Sequence, residues 1–263
     1  MKKRVNSLIE ALAIRAREHM ALVGAGGKTT LMFALAEELT RDGKRVITST
    51  TTKVWHREAL QYKEVLLVEG GVDWRKRTGK ELSREGTVFV GGSVLDSGKV
   101  KGISPSLADE IYHDVEVQYL VLEADGAAGH PLKAPAGHEP VIPSSVTMIV
   151  AMMGLEAMSA QLDEVTAFRV EQVRNVTGIE PGGLLTPSAL SRVFLHPAGL
   201  FKTTPESARR VVFLNKGDLI KEERKAEELA DILLTDPMKK IDRVILGSIQ
   251  KNVYQIRTKK GKK

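Results

Sequence analysis

Seven residues, Gly24-Ala25-Gly26-Gly27-Lys28-Thr29-Thr30, put three glycines, an ammonium and two hydroxyls directly after the apolar run Ala21-Leu22-Val23. Together these groups suit a phosphate. Glycine backbone approaches an anion with no Cβ in the way, a helix starting at Lys28 aims its positive end there, and Lys28 adds a full charge. The Thr29 hydroxyl then reaches a phosphate-bound Mg²⁺. The common consensus G-x-x-x-x-G-K-[ST] requires a glycine at Leu22 and is not met. Counted from Gly24 the loop reads G-x-x-G-K-T, two residues shorter, with each chemical element retained. The competing reading is a glycine turn between strand and helix with an incidental Lys-Thr.

A cation on a phosphate needs a carboxylate from a second strand end. "YLVLEADGAAG" supplies Glu123 and Asp125, which alternate along an extended chain and so face one side. Asp125 is expected as a Mg²⁺ ligand, direct or through water, and Glu123 as a second metal ligand or an orienter of water. The alternative is a turn-forming Asp-Gly after an edge strand. In "STTTKVW", Thr51, Thr52 and Lys53 lie at the carboxyl end of a strand, within reach of a γ-phosphate or metal, although threonine also simply favours strands. "FLNKGD" holds Asn215, Lys216 and Asp218 in the N-K-x-D spacing by which GTPases read guanine: the Asp accepts from N1 and N2, and the Lys stacks on the ring. Ser248 falls where a further base-contacting loop belongs. Asp218 as the N-cap of the next helix is the other reading, so ATP and GTP both remain open.

"GHPLKAPAGHEPVIP" concentrates His130, Lys133, His138 and Glu139 in a segment stiffened by prolines, suited to a second substrate, an oxyanion or a partner's segment. Lys101 in "VKGISP" and Arg169 in "FRVE" are further candidates for anionic groups.

The elements that must position these groups follow an alternating pattern of short apolar runs and helical stretches, which predicts a mainly parallel sheet with helices on both faces. Strands are expected at Ala21 to Gly24, Val46 to Ser49, Val65 to Val68, Thr87 to Val90, Tyr119 to Glu123, Val146 to Met152, Val211 to Asn215 and Arg243 to Gly247. Leu31, Leu35 and Leu39 share one face of a helix over Lys28 to Arg41, stopped by Asp42-Gly43. Another helix follows Asp218, with Ala226, Leu229, Ile232 and Leu233 as its apolar side. Residues 166–205, with helical pieces at Val170 to Val176 and Thr186 to Leu195, read as a helical insertion in a single domain spanning 1–263.

With 263 residues and 42% hydrophobic content, the chain can bury a substantial core. The charge of +6 collects at the ends, in Lys2, Lys3 and Arg4 and in a basic tail over about 255–263. No aromatic residues interleave with it, which argues against nucleic acid. Absence of cysteine excludes disulfides, thiolate metal sites and covalent chemistry on sulfur. Charges throughout the first twenty residues leave no apolar span, so a soluble cytoplasmic protein without membrane contact is expected.

The loop resembles that of the muramyl-ligase branch of P-loop enzymes. The chain as a whole resembles the YqeC family, carried by VGAGGKTTLMFALA, TSTTTKV, KGISP, LEADGAAGHPLKAPAGHEPVIP, the FRVE arginine and LNKGD in that order. This resemblance implies a three-layer P-loop NTPase-like fold and a role as accessory protein in nucleotide-dependent maturation of selenium-dependent molybdenum hydroxylases or their molybdenum cofactor. A hydroxylase or maturation protein would be the partner, and would handle selenium, because this chain has no thiol. Two other functions stay open: an ATP-dependent ligase or kinase acting on a small acceptor, and a non-catalytic nucleotide-binding module.

Overall fold

Runs such as MALV, YLVL and MIVAMM are apolar at every position because the strands they form are covered on both faces. The computed structural model describes residues 2–55, 65–69, 73–220, 222–238 and 241–259. Its elements are β1 (Lys2–Val5), α1 (Leu8–Leu12), β2 (Glu18–Gly24), α2 (Lys28–Arg41), β3 (Val46–Thr50), β4 (Val54–Trp55), β5 (Val65–Leu67), α3 (Trp74–Glu85), β6 (Thr87–Gly91), β7 (Lys99–Val100), α4 (Pro105–His113) and β8 (Tyr119–Glu123). They continue with β9 (Leu132–Lys133), β10 (Met148–Gly154), β11 (Ala167–Phe168), α5 (Val170–Thr177), α6 (Pro187–Leu195), β12 (Arg209–Asn215), α7 (Glu223–Thr235), β13 (Arg243–Ser248) and β14 (Val253–Arg257).

The main sheet has the order β1-β14-β13-β12-β10-β2-β8-β3-β6-β5. From β13 to β5 the neighbours are parallel; β14 and β1 close one side antiparallel. Side chains alternate between two cores. Met148, Val150 and Met152 of β10 enter the core covered by α1 and α2; Ile149, Ala151 and Met153 enter the one covered by α3 to α7. The α/β class, the mainly parallel sheet and its flanking helices are therefore as expected. Each predicted strand is present, with ends shifted by up to three residues, and α2 has its predicted span. Burying Leu31, Leu35 and Leu39 fixes α2 against the sheet, each contributing about 1.5–3 kcal/mol.

One expectation, the solvated basic ends, and one alternative, the edge-strand turn, change. The basic ends do not fray: Lys2 to Val5 pair with Arg257 to Tyr254, and Arg257 is buried with its guanidinium on Asp231. Lysines on β1 blunt the sheet edge against further pairing. Residues 260–263 of the expected tail lie outside the described residues. Second, β8 is interior, between β2 and β3, so Asp125-Gly126 does not follow an edge strand.

The chain leaves β2 toward β3 on one side and returns to place β10 on the other. Where order reverses, the carboxyl ends of β2, β8 and β10 open a crevice.

Candidate functional site

The glycine loop caps this crevice. Gly24, Gly26 and Gly27 have φ of +95°, +78° and +120°. A Cβ at Gly24 would lie 2.3 Å from the Met152 oxygen, and one at Gly26 would lie 2.1 Å from the Gly154 nitrogen. Only glycine fits where the loop crosses the end of β10. Ala25 N–H donates to Met152 O (3.0 Å) and Gly26 N–H to His130 O (3.1 Å), which fixes the loop to two neighbouring segments.

Helix α2 starts without a side-chain cap at Gly27, whereas α4 and α6 are capped by Ser104 and Thr186. Its first helical bond is Leu31 N–H to Gly27 O, so the amides of Lys28, Thr29 and Thr30 precede the ladder. These amides and the helix dipole face the loop's concavity.

Lys28, only 4% exposed, donates to Gly24 O at 2.6 Å and stands 3.1 Å from Asp125 Oδ1 and 4.0 Å from Glu123 Oε2. Thr29 donates to Glu123 Oε1 at 2.7 Å. The two carboxylates thus converge from β8 on both phosphate-loop side chains. Asp125 Oδ2 accepts from Gly24 N–H (2.9 Å) and pairs with Lys133 (3.2 Å), while buried Oδ1 is ion-paired with Lys28 and accepts no hydrogen bond from another donor.

Behind Asp125 the charges alternate into the protein. Lys133, 1% exposed, donates to Gly126 O (2.6 Å) and Glu139 Oε2 (2.8 Å); Arg169 then donates to both Glu139 oxygens. Burial alone would raise the Glu139 carboxyl, but hydrogen bonds from Lys133 and Arg169 outweigh it and hold the group at about 2. Lys133 and Glu139 are therefore interior partners, not the free ligand-binding groups expected of a loop. The histidines do not converge either. His130 contacts the Ala127 and Glu164 carbonyls, whereas His138 is exposed and makes neither contact.

On the other flank, Asn215 ties three loops together. Its Nδ2 donates to Gly26 O (2.8 Å) and its Oδ1 accepts from Ile249 N–H (3.2 Å). Lys216, with φ of +61°, ion-pairs with Glu156, a residue not flagged from sequence because its partner lies 60 positions away. Asp218 is exposed on the rim of a cavity of about 300 Å³ that Leu155, Gly217, Gly247 and Ser248 also line. The next helix starts after Glu222 with no side-chain cap, so the capping role considered for Asp218 is not what the chain builds.

Residues 20–171 match the YqeC protein family, and the chain is 31% identical over 239 residues to YqeC of Escherichia coli (strain K12), covering 89% of this chain and 88% of that protein. The chain belongs to the YqeC family. The matched segment of this YqeC-family chain holds the glycine loop, both carboxylates and the chain of charges to Arg169, while Asn215 to Asp218 lie outside it. HypB from Helicobacter pylori, solved in complex with nickel, superimposes with a TM-score of 0.37 at 10% identity, covering 90% of this chain and 81% of that one. That likeness is too slight to build on.

The remaining candidates of this YqeC protein meet in a second cavity of about 710 Å³, at the carboxyl ends of β3 and β6. Thr51, Thr52, Lys53, Lys101, His138, Glu139 and Arg169 line it. Thr51 donates to Val141 O (2.7 Å) and Thr52 Oγ1 lies 3.2 Å from Thr50 Oγ1, so these hydroxyls hold the loop's shape. No described helix is long and apolar enough to cross a membrane.

Proposed function

We propose that this YqeC-family protein binds a Mg²⁺-nucleoside triphosphate, with guanine as the preferred base, and hydrolyses it as an accessory protein in maturation of a molybdenum hydroxylase or its cofactor. The phosphate site carries the reading: glycines that a Cβ would fill, an uncapped helix start, and a buried lysine facing two carboxylates. The hydroxylase client, with its selenium, rests on family membership alone.

The donor set suits Mg²⁺. Among the described residues no group of three or more His, Cys, Asp or Glu side chains could hold a metal, and Mg²⁺ needs no such cage because phosphates and water complete its shell. Thr29, Glu123 and Asp125 supply hard oxygens, and the buried Asp125 Oδ1 has the Lys28 ammonium at 3.1 Å but accepts no hydrogen bond from another donor. When bound, Mg²⁺ would neutralise charge developing on the phosphate oxygens.

Phosphates displace the Gly24 carbonyl from Lys28, and the ammonium then follows charge on the transferred group. Amides of Lys28, Thr29 and Thr30 donate to the same oxygens; Gly24 to Gly27 let them approach. Glu123, near both Lys28 and Thr29, orients the attacking water. Asp125 keeps Lys28 in place through its Oδ1, backed by Lys133.

Support for guanine comes from Asn215, which links the phosphate loop to the Asp218 cavity. Asp218 would accept from guanine N1 and N2, and Ser248 lies on the same wall. Lys216 must leave Glu156 to stack on the base.

Calorimetric titration with non-hydrolysable GTP and ATP analogues, with and without Mg²⁺, tests this. The GTP analogue should bind about 10- to 100-fold tighter, the worth of hydrogen bonds to a charged group. Asp218→Ala should erase that preference and leave ATP-analogue affinity unchanged. Equal affinity for both in the unaltered protein would refute base reading by Asp218.

A further inference from the structure

Three segments distant in sequence send their cations to the 710 Å³ cavity, Lys53 after β3, Lys101 before α4 and Arg169 before α5, and His138 after β9 adds an imidazole. None contacts the phosphate loop. Nucleotide binding leaves this convergence unexplained.

The walls are built, not incidental. Ile103 N–H donates to Thr50 O (2.9 Å), and a Cβ at Gly102 would meet Thr52 O at 2.5 Å, so the KGISP segment is pressed onto the STTTK loop. Ile103, Leu107 and Val141 give one side an apolar surface. Opposite charges are already committed: Glu69 accepts from Lys101 (2.6 Å), and Glu139 is shared by Arg169 and fully buried Lys133. Lys53 is exposed and pairs with no carboxylate among the described residues. Arg169 is held by stacking on Phe168 (4.7 Å) and uses two N–H groups on Glu139, which leaves others for a ligand. Lys101 likewise keeps donors beyond the one Glu69 takes.

A pocket of this size with an apolar wall and a surplus of cations fits a small molecule with an apolar body and an anionic head. We propose that this cavity binds a small organic anion, a carboxylate or phosphate monoester, with its head on Lys53 and Arg169 and its body against Ile103, Leu107 and Val141. It lies beside the phosphate loop: Glu139 is one lysine away from Asp125, and Thr51 N–H donates to Glu123 O. An acceptor or a cofactor fragment held here would face the strand end that carries both carboxylates. Binding at this cavity does not depend on the nucleotide reading.

Phenyl phosphate, benzoate and neutral benzyl alcohol serve as probes, titrated by ligand-observed NMR into Lys28→Ala protein so that the phosphate loop cannot take the anion. One or both anions should saturate, with benzyl alcohol at least about 10-fold weaker, the factor of one charge-assisted hydrogen bond. Which anion saturates identifies the head group. Lys53→Gln in the same background should weaken the anion about 10-fold; Lys53 is exposed, so folding is retained. Failure of both anions to saturate, or saturation indifferent to Lys53→Gln, overturns the proposal. Nucleotide titration of the unaltered protein reads the other site separately.

Discussion

The strands β2, β8 and β10 bury polar groups at both ends, and the ends differ. At the amino end Glu18, fully buried, accepts from Thr147, Arg209 and the Arg15 amide. His19 lies 2.8 Å from Ser145 Oγ, which donates to Asp109 (2.6 Å). At the carboxyl end Lys28, Asp125, Lys133 and Glu139 are equally buried, but they sit under glycines at positive φ, beside an uncapped helix start and two cavities. Buried charge by itself therefore does not mark a site. At the amino end it joins strand starts; at the carboxyl end it backs groups left facing open space.

The sharpest test of this contrast removes a charge behind the site. Lys133→Met leaves Asp125 and Glu139 without their shared cation and should cost about 3–5 kcal/mol in urea unfolding. A variant as stable as the parent would show that Lys133 is not part of the interior frame.

Acid should reach the two ends in different windows. Burial, against a weaker pull from Asp109, lowers His19 from 6.5 to about 3. Between those values the unfolded chain takes up a proton that the folded chain refuses, so stability falls as pH drops, by about 5 kcal/mol in all. Glu139 acts lower: its stabilisation is full above 4.5 and is lost as pH falls through about 2, about 3 kcal/mol. Unfolding free energies from pH 7 to 3 should show the His19 slope first, and His19→Gln should flatten the range from 6.5 to 4.5. An unchanged slope in that variant would place the acid sensitivity elsewhere.

Lys28→Ala should lower affinity for a Mg²⁺-GTP analogue about 100-fold, near 2.7 kcal/mol. Undiminished binding would remove the phosphate reading of the loop. The smallest effect belongs to the amino end. Thr147→Val removes a donor to Glu18 and the acceptor of the His19 N–H and should cost about 1.5 kcal/mol by thermal unfolding, with nucleotide affinity unchanged.

Strands and α2 were legible because apolar period and glycine punctuation are local signals. Strands β1 and β14 were not, since KKRV and VYQIR carry charges that suit a solvated edge and resemble a tail. The glycine loop with Lys28 and Thr29 was readable because its elements are contiguous, and Glu123 with Asp125 because alternation puts them on one side. Lys133 and Glu139 were misread as open loop groups: nothing local reveals that Asp125 and Arg169 close over them. Glu156 gave no signal, because only folding brings it to Lys216.

Sequence alone determined which elements form and which residues crown the ends of β2 and β8, since backbone preference and side-chain period act over a few residues. Tertiary structure decided which charges face a ligand and which face each other. That choice depends on desolvation and on partners from distant segments, and neither exists until the sheet is assembled.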